Sequence, residues 1–167
     1  MSRFNDNVRH DDPFMQYYKK KSWTTNNGHS VFLVEHMESK VNYVMKVSPV
    51  SNMEKEVAKP GENTVLLSLG ESDHIIKVKD IHIWQGRIYT ILDYMDGKEL
   101  THVINEYRKH YSEDFIKYTI YMAARGLADM HEQGILHRDI KSDNILCGSN
   151  GDIKLADMDV SVFLTEE

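Results

Sequence analysis

His137-Arg138-Asp139-Ile140-Lys141-Ser142-Asp143-Asn144 is followed by Ile145-Leu146, a turn from Cys147 to Asp152, and then Ile153-Lys154-Leu155-Ala156-Asp157-Met158-Asp159. Two short apolar runs, Asn144-Ile145-Leu146 and Ile153 to Ala156, flank Ser149-Asn150-Gly151-Asp152, a pattern that predicts a β-hairpin. Closing that hairpin carries Asp157 back beside Asn144 and Asp139. Two carboxylates, one amide oxygen and the Lys141 ammonium then share a small volume. Phosphoryl transfer needs such a set: oxygen ligands for Mg²⁺, a base for a hydroxyl, and a cation for the transferring phosphate. The competing reading of the same residues is a polar turn between core strands.

The run from His137 to Asn144 resembles the catalytic loop of eukaryotic protein kinases, and Asp157-Met158-Asp159 stands where that family has Asp-Phe-Gly. The resemblance implies that Asp139 accepts the proton of a substrate hydroxyl, that Lys141 neutralises the γ-phosphate, and that Asn144 and Asp157 hold Mg²⁺. Lys141 is typical of Ser/Thr-directed members, and the wording from Asp139 to Leu146 is similar to sterile-twenty-like and p21-activated kinases. His137 is expected to pack, stacking with Met158, a large apolar substitute for Phe. Asp159 departs from the family pattern, because it adds a Cβ and a third carboxylate where Gly allows unusual backbone angles.

Towards the N-terminus, Tyr43-Val44-Met45-Lys46-Val47 resembles the strand whose lysine contacts the α- and β-phosphates. By that resemblance Lys46 is the phosphate lysine, while Val31 and Val44 cover adenine. Registering on Lys46 puts Thr24, Asn26 and His29 where the family has three glycines, with Gly28 off register. Backbone must approach phosphate closely there, and only Asn26 tolerates positive φ well. Glu62 is positioned like the helix glutamate that pairs with the lysine, with Glu54 and Glu56 as competitors. Its bland alternative is an exposed helix glutamate. Asp93-Tyr94-Met95-Asp96-Gly97 resembles the interlobe hinge, with Leu92 as gatekeeper and the Asp93 carbonyl and Met95 amide facing adenine. Leu146 is the remaining residue assigned to the ATP site.

The rest of the pattern bounds the class. The chain has 167 residues, net charge -6 and a single cysteine, Cys147. No internal disulfide can form, which fits a reducing compartment. The negative balance implies no general affinity for nucleic acid. No apolar run is long enough to span a membrane and the N-terminus lacks a secretory core, so a cytoplasmic or nuclear soluble protein is expected. Strands are expected at Val31 to Val34, Val41 to Val47, Ile75 to Ile83 and Arg87 to Tyr94. A helix is expected over the Val65-Leu66-Leu69 stripe, and another from Leu100 to about Tyr111. A third opens at Ser112 and carries Ile116, Ile120, Ala123, Ala124, Leu127 and Met130 to Gln133-Gly134.

Residues 1 to about 21 are mixed in charge and broken by Pro13, and read as a poorly ordered arm. The fold expected over 22–167 is α+β and protein-kinase-like. It comprises a five-stranded antiparallel N-lobe with one main helix (about 22–93), a hinge at 93–97, and an incomplete helical C-lobe at 98–167. The resemblance implies ATP, Mg²⁺ and a protein substrate. It stops short of the segments that cover the third helix in the family, so that stripe is expected to meet a partner chain or more of its own chain. The sequence supports two main functions: a Ser/Thr protein kinase, and a catalytically impaired kinase-like binding or scaffold module suggested by the missing glycines and Asp159. A small-molecule kinase is disfavoured by Arg138 together with Lys141.

Overall fold

The computed structural model describes residues 8–24, 30–50, 62–70, 72–106 and 111–164. The chain divides into two compact units, one formed by 1–59 with 77–94 and the other by 60–76 with 95–167.

The first unit is a six-stranded sheet of β1 (Val8–Arg9), β2 (Tyr17–Thr24), β3 (Ser30–His36), β4 (Asn42–Pro49), β5 (Val78–Trp84) and β6 (Arg87–Asp93). The order is β1-β5-β6-β4-β3-β2. β2 to β6 are paired antiparallel, five strands as expected in number, with β2 lying mostly in the stretch read as an arm, and β1 adds to β5 in parallel. Register sorts the side chains by face, since directly opposed residues point the same way. Phe32, Met45 and Ile91 align across three strands, as do Val34 with Tyr43 and Val47 with Tyr89. That face holds the core of Tyr17, Val34, Met45, Val47, Tyr89 and Ile91. The opposite face carries Val31 against Lys46 against Thr90, and Leu33 against Val44 against Leu92.

The arm expected at the N-terminus is corrected for its described part. Val8–Arg9 joins the sheet, Pro13–Met15 forms a 3₁₀ turn capped by the Asp12 side chain, and Tyr17–Lys21 belongs to an eight-residue strand. Tertiary partners decide this, and local composition does not reveal them. The Tyr17 hydroxyl donates to Asp80 at 2.5 Å, Arg9 lies 3.5 Å from Asp80, and Asp11 bonds the buried His82 ring at 2.7 Å.

Among the described residues the second unit contains three α-helices: α1 (Glu62–Leu69), α2 (Leu100–Glu106) and α3 (Glu113–Glu132). It also holds the short strands β7 (Ile135–Leu136), β8 (Ile145–Cys147), β9 (Ile153–Leu155) and β10 (Val162–Phe163). α3 starts as its sequence dictates: Ser112 accepts from the Phe115 amide at 3.1 Å, and Glu113 and Asp114 occupy the first turn. It stops at Gly134, whose φ of 67° is cheap only for glycine. Buried residues on α3 are Thr119, Gly126 and Met130, whereas Ile116 and Ile120 of the expected stripe are exposed. α2 is described over Leu100–Glu106, and residues 107–110 of the expected helix lie outside the described residues. Ile75 does not open a strand of the large sheet, because it bridges Leu155 in parallel and the Ile76 amide donates to the Leu155 carbonyl at 2.9 Å.

Candidate active site

The hairpin forms as read. β8 and β9 pair antiparallel with Ile145 opposite Leu155 and Cys147 opposite Ile153. The turn is closed by Gly148 N–H to Asp152 at 2.8 Å, and Gly151 adopts a φ of 92°. At the open end the Ala156 amide donates to the Asn144 carbonyl at 2.9 Å, so the chain leaving β9 is tied to the chain entering β8.

Asp139, Lys141 and Asn144 meet around one carboxylate oxygen. Lys141 Nζ donates to Asp139 Oδ2 at 2.6 Å and Asn144 Nδ2 donates to the same oxygen at 3.0 Å and to the Asp139 carbonyl at 2.9 Å. Neither side-chain donor engages Oδ1. The Lys141 hydrogen bond is the largest influence on the Asp139 carboxyl and, with the Asn144 bond, holds it below the usual carboxylate range despite partial burial. Reciprocally, Asp139 pushes the Lys141 ammonium up. Asn144 is 5% exposed, and its amide nitrogen is committed to Asp139, which leaves its oxygen as the acceptor end.

His137 packs as expected: it and Met158 are buried, at 2% and 0% exposed. Its ring lies 3.1 Å from the Ala156 carbonyl through Nε2 and 3.3 Å from the Asp139 amide through Nδ1. Only the neutral tautomer with the proton on Nε2 serves both, donating to the carbonyl and accepting from the amide. Arg138 and Asp157 both hold a φ of 65°, uncommon for residues with a Cβ. Arg138 Nε donates to the Val160 carbonyl at 2.6 Å.

Glu62, Asp157 and Asp159 bring one carboxylate oxygen each to within 4.8 Å of one another. Asp159 therefore does add a third carboxylate beside Asp157. All donors here, with the Asn144 amide oxygen, are hard oxygens of the kind Mg²⁺ selects, so the residues present fit that ion.

In the first unit one sheet face bears Val31, Val44, Lys46 and Leu92, all partly or fully buried. Asp93 ends β6 opposite Tyr43, with its amide donating to the Lys77 carbonyl at 3.0 Å. In the second unit Met95 is half-buried, and Leu146 lies in β8 where it bridges Glu99. The glycine-loop positions Asn26, Gly28 and His29, and the competing Glu54 and Glu56, lie outside the described residues.

Sequence reasoning missed two contacts. Thr101 Oγ1 donates to Ser142 Oγ at 2.6 Å, pinning the loop to α2. Ser161 donates to the His137 carbonyl at 3.2 Å. The available signal for Ser161 was a lone small hydroxyl between Val160 and Val162, a pattern shared with many edge strands.

Within the second unit, then, Lys141 and Asn144 share one oxygen of an ionised Asp139, and Glu62, Asp157 and Asp159 gather three carboxylates. Comparison gives the family: the model described as protein kinase domain matches residues 26–167. The chain belongs to the protein kinase domain family. It is 29% identical over 163 residues to the serine/threonine-protein kinase pakA of Dictyostelium discoideum, covering 97% of this chain and 14% of that protein. It is 37% identical over 108 residues to the serine/threonine-protein kinase STE20 of Saccharomyces cerevisiae, covering 64% of this chain and 11% of that protein. It is 36% identical over 92 residues to the CTD kinase subunit alpha of Schizosaccharomyces pombe, covering 55% of this chain and 15% of that protein. The chain thus spans only a small part of these relatives. Among the described residues no helix is long and apolar enough to cross a membrane.

Proposed function

We propose that the chain carries the nucleotide and catalytic elements of a serine/threonine protein kinase, transferring the γ-phosphoryl of Mg-ATP to a protein hydroxyl. The observation that carries this reading is the Asp139–Lys141–Asn144 constellation, with two donors on Oδ2 and Oδ1 left to accept. The family uses ATP and Mg²⁺. Asn144 and Asp157 would hold the ion, which supplies charge neutralisation between the phosphates when bound.

The roles of this chain's residues follow from their chemistry. Asp139 is ionised at neutral pH, so Oδ1 accepts the hydrogen bond of an acceptor hydroxyl and takes its proton as that oxygen bonds to the γ-phosphorus. The bond from the γ-phosphorus to the ADP oxygen breaks as the new one forms. Lys141 exchanges part of its contact with Asp139 for the transferring phosphoryl oxygens. Lys46 is proposed as the α- and β-phosphate ligand, with Glu62 as its orienting partner. Val31, Val44 and Leu146 are proposed as adenine contacts, with the Asp93 carbonyl and Met95 amide as its hydrogen-bonding groups.

The impaired-module reading is favoured by one observation, the packing of Glu62 and Asp159 against Asp157. Three acids in that space raise the charge a metal must offset and give Glu62 a competing neighbour. Phosphotransfer from radiolabelled Mg-ATP to a basic acceptor protein separates the two. Wild-type incorporation that falls about a hundredfold or more in Asp139→Asn supports the kinase. Nucleotide binding with incorporation equal in wild type and Asp139→Asn establishes the impaired module instead.

A further inference from the structure

We infer that Ser161 is a positioning residue that locks the base-bearing loop to the segment carrying Asp157, a role that deepens the kinase reading and rests on it for its catalytic consequence. Ser161 is 4% exposed, and its hydroxyl donates to the His137 carbonyl at 3.2 Å. Its other near neighbour is the Met158 sulfur at 3.6 Å, a far weaker acceptor, so the single hydroxyl proton belongs to the carbonyl. Its amide donates to the Met158 carbonyl at 3.0 Å, which closes a turn over Met158, Asp159 and Val160.

The location gives this bond its effect. His137 is gripped at three points: its carbonyl by Ser161, its Nε2 by the Ala156 carbonyl, and its Nδ1 by the Asp139 amide. The last of these fixes the backbone of the proposed base. The next residue, Arg138, is in the left-handed region at φ 65°, and so is Asp157. Such conformations persist in residues with a Cβ only where surrounding contacts over-determine them. Ser161 reaches His137, just before Arg138, and Val160 accepts from Arg138 Nε at 2.6 Å, so both contacts tie the chain leaving Asp157 to the strained loop. The β7–β10 pairing, Leu136 opposite Val162, continues the seam but ends before His137. Ser161 thus extends the seam to the backbone of the residue preceding Arg138, beside the buried His137 ring that holds the Ala156 carbonyl. Without it, a buried carbonyl loses its donor at the point where two strained backbones must be held together.

Hydrogen exchange with mass spectrometry on the 167-residue chain tests this without any need for activity. Ser161→Ala is expected to accelerate exchange about tenfold in peptides covering 136–141 and 156–160, with α3 and the large sheet unchanged. Ser161→Cys, of similar size and with a weaker donor, should give an intermediate acceleration. Ser149→Ala removes a hydroxyl bonded to Asp96 at 2.6 Å on the exposed turn and should leave 136–141 unchanged. Unaltered exchange in Ser161→Ala, or a uniform rise across the second unit, would overturn the positioning role. Where the wild type transfers phosphate, Ser161→Ala should lower kcat about tenfold with KM for ATP within about twofold, and Ser161→Cys should partly restore it. A wild type that binds no Mg-nucleotide and transfers nothing overturns the kinase reading alone and leaves the exchange result to decide Ser161.

Discussion

The Asp139 carboxylate owes its low pKa chiefly to one ammonium 2.6 Å away, on a side chain two residues along. Removing that partner should let the carboxyl rise towards its ordinary value of 3.8. In Lys141→Met, a ¹³C titration of the Asp139 carboxyl is expected to show that upward move; an unmoved midpoint would assign the shift to Asn144 and the backbone. A depressed folded pKa gives stability that is present above the unfolded value and is lost as pH falls through the folded one. The Lys141 variant should therefore lose part of the wild type's acid sensitivity below about pH 3.8. Tyr17 shows the opposite sign. Burial first, then the hydrogen bond to Asp80, push its phenol far above 10.0. The folded state keeps it neutral while the unfolded chain ionises, so its contribution is full below about pH 10 and fades above it. Tyr17→Phe should flatten that alkaline loss in urea titrations, at a cost of about 1.5–3 kcal/mol at neutral pH for the missing bond to a charged group. The two sites also differ in legibility. Asp139, Lys141 and Asn144 sit within six residues and declare themselves by spacing, whereas Tyr17 and Asp80 are 63 residues apart and nothing local marks them as partners.

Elements were legible where their signals are local. The Ser112 cap, the Gly134 stop and the hairpin turn each act within four residues, and each is where the sequence puts it. Strand β2 was hidden because its alternation is interrupted: the register with β3 shifts between Lys19 and Lys21. The bulge and the lysines together protect an edge. β2 ends the sheet order, and edge strands escape pairing with other chains by bulging and by carrying lysine. Lys20 bonds Glu35 at 3.0 Å and Lys19 covers the Phe32 ring at 3.9 Å, so these charges also shield apolar surface. Replacing Lys19, Lys20 and Lys21 together by Thr should raise light scattering at micromolar concentration on gentle warming, while single replacements should not. In α3 the decisive residue is Gly126. A Cβ there would stand 2.9 Å from the His74 carbonyl oxygen and 2.9 Å from Leu155 Cδ1. Helix propensity favours Ala over Gly by about 1 kcal/mol, but displacing packed backbone costs about 1–3 kcal/mol. Gly126→Ala should thus be net destabilising or at best neutral, and Gly126→Val clearly destabilising, by urea midpoint. The same close approach is bolstered by Asp129, which accepts from Ser72 at 2.5 Å and lies 3.0 Å from the His74 ring.

At the scale of the molecule, hydrophobic periodicity identified α3 as amphipathic but did not reveal which part of its apolar surface is covered. The buried line runs through Thr119, Gly126 and Met130, while Ile116 is 48% exposed, Ile120 65% and Tyr121 58%. Periodicity counts apolar residues, and a helix with apolar residues on more than one side leaves the choice to tertiary fit. Ile116 and Ile120 lie one turn apart along α3, so they form one exposed apolar strip. Burial and exposure make opposite predictions for the same substitution. A buried Ile changed to a polar residue of similar size costs several kcal/mol, whereas a surface replacement usually stays within about 0.5 kcal/mol. The double variant Ile116→Gln, Ile120→Gln should therefore leave the urea midpoint of the 167-residue chain nearly unchanged and lower its self-association in sedimentation experiments. A loss of about 2 kcal/mol or more would show that this strip is covered in solution. Met130→Ala is the matched internal control: at 0% exposure on the same helix, it should cost about 2–5 kcal/mol. The contrast between those two results would measure directly how far the core extends around α3.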